Sequence, residues 1–217
     1  MSTAQPQNDT QTWFQGKPNY WLAWELFCNV VLACFFLNFV LIHGNAMLTV
    51  FRLSSLLILM KVSADVFFHL VRKPAKQITH SWYDWAIGIA GAYTILFYEP
   101  VAGTDYWVGT AIQLVGLGLQ VAGMLSLNRS IGFVAANRGI KTGGMYRFVR
   151  HPLYFAYTVS FAGFLMNQFT FRNLAVYILM VVCLYLRTRC EEGILRQDAE
   201  YRAYAGKVKY RMIPGLL

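Results

Sequence analysis

Arg147, Arg150 and His151 fall within five positions, with Tyr146 and Tyr154 on either side and Pro152 directly after the histidine. The stretch from Gly143 to Tyr157 reads GGMYRFVRHPLYFAY, and some forty positions later stands an acidic pair, Glu191 and Glu192. Proline has no backbone N–H and suits the first turn of a helix, while the residue before it is pushed towards extended backbone. His151 is therefore expected at the mouth of a helix starting at Pro152, where free N–H groups and the positive end of the helix dipole attract a carboxylate or phosphate. Arg147 and Arg150 strengthen that preference. Arginines alone would favour anionic lipid at a membrane edge; the histidine, the paired tyrosines and the later glutamates together point to a binding site instead.

These residues belong to four ordered blocks. The first holds Gly144, Tyr146, Arg147, Arg150, His151, Pro152 and Tyr154; the second Glu191, Glu192 and Leu195; the third Glu200, Tyr201 and Tyr204; the fourth Arg211, Ile213 and Pro214. In this order they resemble the catalytic region of the isoprenylcysteine carboxyl methyltransferase family over residues 128–217, whereas the preceding residues are similar only in being membrane-spanning. The chain departs from the family pattern at Met145, where proline is usual, at Gly193, where an arginine often follows the acidic pair, and at Gln197 and Asp198, in place of a common Phe-Gly.

The resemblance implies S-adenosylmethionine as methyl donor, bound without a dinucleotide fold. Its carboxylate suits His151 and Arg150, its ammonium or ribose suits Glu191 or Glu192, and its sulfonium suits a hydroxyl or aromatic face of Tyr146 or Tyr154. Arg211 is a further candidate contact; Tyr201 and Tyr204 are expected to pack on the helix before them. A carboxylate acceptor, such as a prenylated cysteine, is ionised at neutral pH and needs no base. A thiol or phospholipid amine would need one, for which Glu192 and His151 are the catalytic candidates.

The elements that must position these groups are membrane helices. The chain of 217 residues is 57% hydrophobic and 13% charged, too apolar for an ordinary soluble domain. An all-α integral membrane fold is expected: a polar tail over 1–19, four full spans within 20–127 (20–42, 46–71, 82–101 and 106–127), and a catalytic region over 128–217. In that region the short apolar runs 152–166 and 174–186 form a helical hairpin, either spanning or re-entrant, the second continuing as a helix past the membrane edge through Arg187, Arg189 and the two glutamates. Trp21 and Trp24 suit an interfacial belt. Residues 1–128 carry six basic and six acidic groups, residues 129–217 thirteen and four. With the basic loop of Arg72, Lys73 and Lys76 and the acidic turn 99–105, this places both termini and the catalytic face in the cytoplasm, of a bacterial inner membrane or endoplasmic reticulum alike. Asn8 and Asn128, in N-x-S/T triplets, then lie on the cytoplasmic side.

Basic groups interleaved with apolar helices argue against a nucleic-acid partner, leaving membrane lipids and a lipophilic acceptor arriving through the bilayer. Cys28, Cys34, Cys183 and Cys190 lack metal-ligand spacing. Lys61 and Asp65, four apart on one helix, read as a self-neutralised structural pair. Gly109, Gly116 and Gly123 repeat every seven residues and offer close helix packing, within the protein or in a homodimer.

Overall fold

The computed structural model describes residues 19–72, 77–79, 81–132 and 134–215. The polar tail up to residue 18 with Asn8, the side chains of Trp21, Trp24 and Cys28, and Lys73 and Lys76 of the basic loop lie outside the described residues. Apolar runs without interior proline become helices: α1 (Asn19–Thr49), α2 (Leu53–Leu70), α3 (Trp82–Tyr93), α4 (Trp107–Leu127), α5 (Pro152–Asn167), α6 (Phe171–Leu195) and α7 (Ala199–Lys207). A two-residue antiparallel ladder joins β1 (Gln77–Ile78) to β2 (Ala136–Asn137), where no strand is expected from the sequence.

Among the described residues, α2, α4 and α6 are long and apolar enough to cross a membrane. The spans differ from expectation in three places. The turn expected at His43, Gly44 and Asn45 lies inside α1, where buried His43 stacks on Phe39 at 4.2 Å. The break falls instead at Arg52, which takes extended backbone (φ −130°, ψ 128°) before α2. The span expected at 82–101 holds only the twelve-residue α3, followed by a 3₁₀ turn over Thr94–Phe97 and extended chain. Conversely, the short run 174–186 is part of a 25-residue helix, α6, which continues past Arg187 to the acidic pair as its polar extension suggests.

α4 and α5 make the most extensive helix contact. Gly109, Gly116 and Gly123 face α5: a Cβ on Gly109 would lie 2.6 Å from Asn167 Oδ1, one on Gly123 2.9 Å from Leu153, and one on Gly116 would overlap the Ser160 backbone. The glycine stripe is thus covered by α5 within the chain. Phe39, Ile58, Tyr98, Phe161, Phe164, Met180 and Leu184 fill the core beside it.

Polar groups close one end of the bundle. Arg52, 5% exposed, bonds Asp105 through Nε at 2.9 Å, the carbonyls of Val101 (2.5 Å) and Thr104 (3.1 Å), and that of Asn167. Asp105 also accepts from Ser54 N and Oγ, and Gln168 donates to Ser54 and Ser55. The turn 99–105 therefore has basic partners after all, Arg52 for Asp105 and Arg172 for Glu99. Removing one member of such a buried pair costs about 3–5 kcal/mol.

Candidate active site

At the opposite end α5 begins at Pro152, with His151 at its N-cap, as the proline predicts. The corner is held from outside by a later segment: Arg150 N donates to Tyr210 O at 3.0 Å and His151 N to Arg211 O at 2.8 Å. Gly144 (φ +59°) starts the 3₁₀ turn leading in; Met145 N donates to Ser126 Oγ, which a Cβ on Gly144 would overlap. No other residue type fits that position without strain.

Both halves of the signature meet. His151 Nε2 lies 3.4 Å from Glu192 Oε1, and Nδ1 lies 3.6 Å from Glu191 Oε2. The two glutamates differ in surroundings. Glu192, 2% exposed, accepts from Arg150 Nε (2.8 Å), Arg211 Nε and Nη2 (3.3 Å each) and Arg196 Nη2 (3.1 Å). Its carboxylate is saturated and does not line the adjoining cavity. Glu191 does line it, accepting from the Tyr154 hydroxyl, with Arg187 Nη2 3.8 Å away.

The cavity encloses about 1450 Å³ of empty space, its open mouth included. At one end stand Arg138, Lys141, Tyr146, Arg150, His151, Glu191, Tyr201 and Tyr204; at the other stand Phe35, Phe36, Ile95, Leu96, Phe161, Met180 and Leu184. A polar chamber therefore opens directly into the apolar middle of the bundle.

Burial on its own would lower the His151 pKa, but the Glu191 and Glu192 carboxylates bonded to its ring hold it above the ordinary histidine value. Burial raises the phenols of Tyr146 and Tyr201, and that of Tyr204 to about 12, so all three stay protonated and can donate.

Of the expected site residues, His151, Arg150, Tyr154, Tyr146 and Glu191 line the cavity, while Glu192 and Arg211 sit behind it as a buried ion cluster. Arg147 is exposed on its turn. Both Glu192 oxygens accept from arginines, and its carboxylate holds the corner from behind. Tyr201 and Tyr204, expected to pack on the preceding helix, meet its last residue Leu195 and cluster with Tyr146, to whose O Tyr204 donates at 2.7 Å; both also line the cavity.

Sequence reasoning missed Arg187. It is 7% exposed and lines the cavity with its guanidinium carbon 5.1 Å from the centre of the Tyr154 ring; Gly91 of α3 makes room for its Cδ. Its placement one turn before Glu191 on α6 was the available signal. Arg187 Nε and the Tyr201 hydroxyl are buried without a hydrogen-bond partner. Buried polar atoms of this kind cost roughly 1–3 kcal/mol each unless something binds them.

Orphaned donors, a facing carboxylate and aromatic walls suit a zwitterionic, aromatic methyl donor. Residues 104–198 match the family described as phospholipid methyltransferase. That family of membrane methyltransferases takes in the isoprenylcysteine type, and the match covers the first two of the four blocks. The phospholipid methyltransferase segment runs from the approach to α4 to the end of α6 and contains the His151 corner, Arg187 and both glutamates; Tyr201, Tyr204 and Arg211 follow it. No curated protein matches the chain.

Proposed function

We propose that the protein transfers the methyl group of S-adenosylmethionine to a lipophilic acceptor entering from the bilayer. The observation that carries this reading is the continuity of one cavity from the His151–Glu191 chamber to the apolar middle of the bundle. When bound, the donor supplies an electrophilic methyl on a sulfonium. The chain's own residues would hold it: Arg187 Nε and His151 for the carboxylate, Glu191 for the ammonium or a ribose hydroxyl, and Tyr146, Tyr154 and Tyr201 around adenine and sulfonium. Glu192 fixes Arg150, His151 and Arg211 behind them.

Positioning accounts for most of the rate in this reading, with about 7–11 kcal/mol as the upper range for well-aligned reactants. The basic excess after residue 128 favours a cytoplasmic chamber. The resemblance favours a prenylated cysteine carboxylate as acceptor; the family match equally accommodates an acceptor carrying a proton.

Protein purified in detergent should bind S-adenosylhomocysteine, and His151→Ala should weaken that binding about tenfold, or 1.4 kcal/mol. Unchanged affinity would remove the role given to the histidine corner. A mere docking face for anionic lipid would instead show affinity falling steadily with salt and no methyl transfer.

A further inference from the structure

A second polar cluster lines the same cavity, deeper than the His151 chamber. Lys61 and Asp65 of α2 pair at 3.0 Å, and the Tyr157 hydroxyl of α5 donates to Asp65 Oδ1 at 2.5 Å. Gln120 Nε2 of α4 donates to the same oxygen at 3.1 Å, and the Lys61 ammonium lies 3.9 Å from the centre of the Tyr157 ring and 4.7 Å from that of Phe161. Lys61, Asp65 and Tyr157 all face the cavity.

A purely structural pair is an expensive way to fill this place, since apolar residues of the same volume usually serve stability as well or better. Ionisable groups at membrane depth are more often functional. The cluster also sits where chemistry would need it. Tyr157 is one helical turn from Tyr154, the two rings are 6.3 Å apart, and Tyr154 bonds Glu191. An acceptor atom between the two tyrosines would lie beside both the donor chamber and Asp65.

Resting on the methyltransferase reading above, we propose that Tyr157 and Asp65 form the proton acceptor of the reaction, and that the methyl acceptor is a lipophile carrying a dissociable proton, a thiol, phenol or amine. The acceptor heteroatom's lone pair forms the new bond to the methyl carbon while the carbon–sulfonium bond breaks and its electron pair stays on sulfur. The acceptor's proton passes to the Tyr157 oxygen as the phenol proton passes to Asp65. Charge balances within the cavity: the sulfonium loses one positive charge, and the neutral Lys61–Asp65 pair gains one. A carboxylate acceptor releases no proton and leaves this cluster without a task.

The test compares two probes with one chain length, dodecanethiol and dodecanoate, using radiolabelled methyl donor and detergent-solubilised full-length protein. Wild type is expected to methylate the thiol. Tyr157→Phe and Asp65→Asn should lower thiol turnover about a hundredfold while S-adenosylhomocysteine affinity stays within about twofold. Tyr157→Phe should also weaken dodecanethiol binding to the donor-free protein, read by intrinsic fluorescence. Because Asp65→Asn strands a buried ammonium, the double change Lys61→Met with Asp65→Leu serves as a folded control. If that variant binds S-adenosylhomocysteine and still turns over the thiol, the pair is structural and the proposal is overturned. Methylation of dodecanoate alone, or of neither probe, overturns it too. Failure of wild type to bind S-adenosylhomocysteine would instead bring down the methyltransferase reading on which it rests.

Discussion

The two ends of the helical bundle are built from similar residues and differ in how completely those residues satisfy one another. At the Arg52 end, Arg52, Asp105, Asn167, Gln168 and Asn173 bind each other and neighbouring backbone, joining the α1–α2, α3–α4 and α5–α6 connections. At the His151 end, Glu192 gathers Arg150, Arg196 and Arg211 in the same closed manner, but in front of that cluster Arg187 Nε and the Tyr201 hydroxyl are left without partners. Closure marks a strut. On the reading proposed above, the unpartnered groups in front of the closed backing are where the methyl donor would bind.

Substitutions can break or sharpen that contrast. The largest effect is expected from Glu192→Ala, which strands the buried Arg150 and should cost about 3–5 kcal/mol while abolishing S-adenosylhomocysteine binding; thermal unfolding and calorimetry in detergent read the two. Arg52→Ala should cost a similar 3–5 kcal/mol yet leave the affinity of the remaining folded protein unchanged. Loss of affinity there would dissolve the distinction between the ends. Gly116→Ala, pressing on Ser160 midway between them, should cost about 1–3 kcal/mol by overpacking, read as a lowered unfolding midpoint. Arg187→Met, removing an orphaned donor together with the partners of Gly132 O and Glu191, should weaken S-adenosylhomocysteine about tenfold.

The smallest effect concerns pH. The folded His151 pKa is raised above its unfolded value near 6.5, so its contribution to stability is full below that value and is lost as pH rises through the raised one. The unfolding midpoint should therefore fall as pH rises above about 6.5, and His151→Gln should flatten that fall.

Local chemistry made part of this legible beforehand. Pro152 announced the start of α5, and the polar continuation of 174–186 announced the length of α6. His43, Gly44 and Asn45 misled because turn-forming composition yields to packing when a ring such as Phe39 can cover the histidine. The choice between Glu191 and Glu192 could not be read from sequence: adjacent helical residues point about 100° apart, and which one faces the cavity depends on where Arg150 and Arg211 arrive. Arg187 was hidden for the same reason, since its usefulness arises from Gly91 on another helix.

The clasp of the Arg150 and His151 N–H groups by the carbonyls of Tyr210 and Arg211 has a consequence for biosynthesis. The clasp is made sixty residues after the histidine it holds, which at ordinary translation speeds is an interval of about 3–12 s. The nascent helices enter the bilayer before their reactive corner is fastened, so assembly in the membrane and competence for catalysis are separate events on the ribosome's clock.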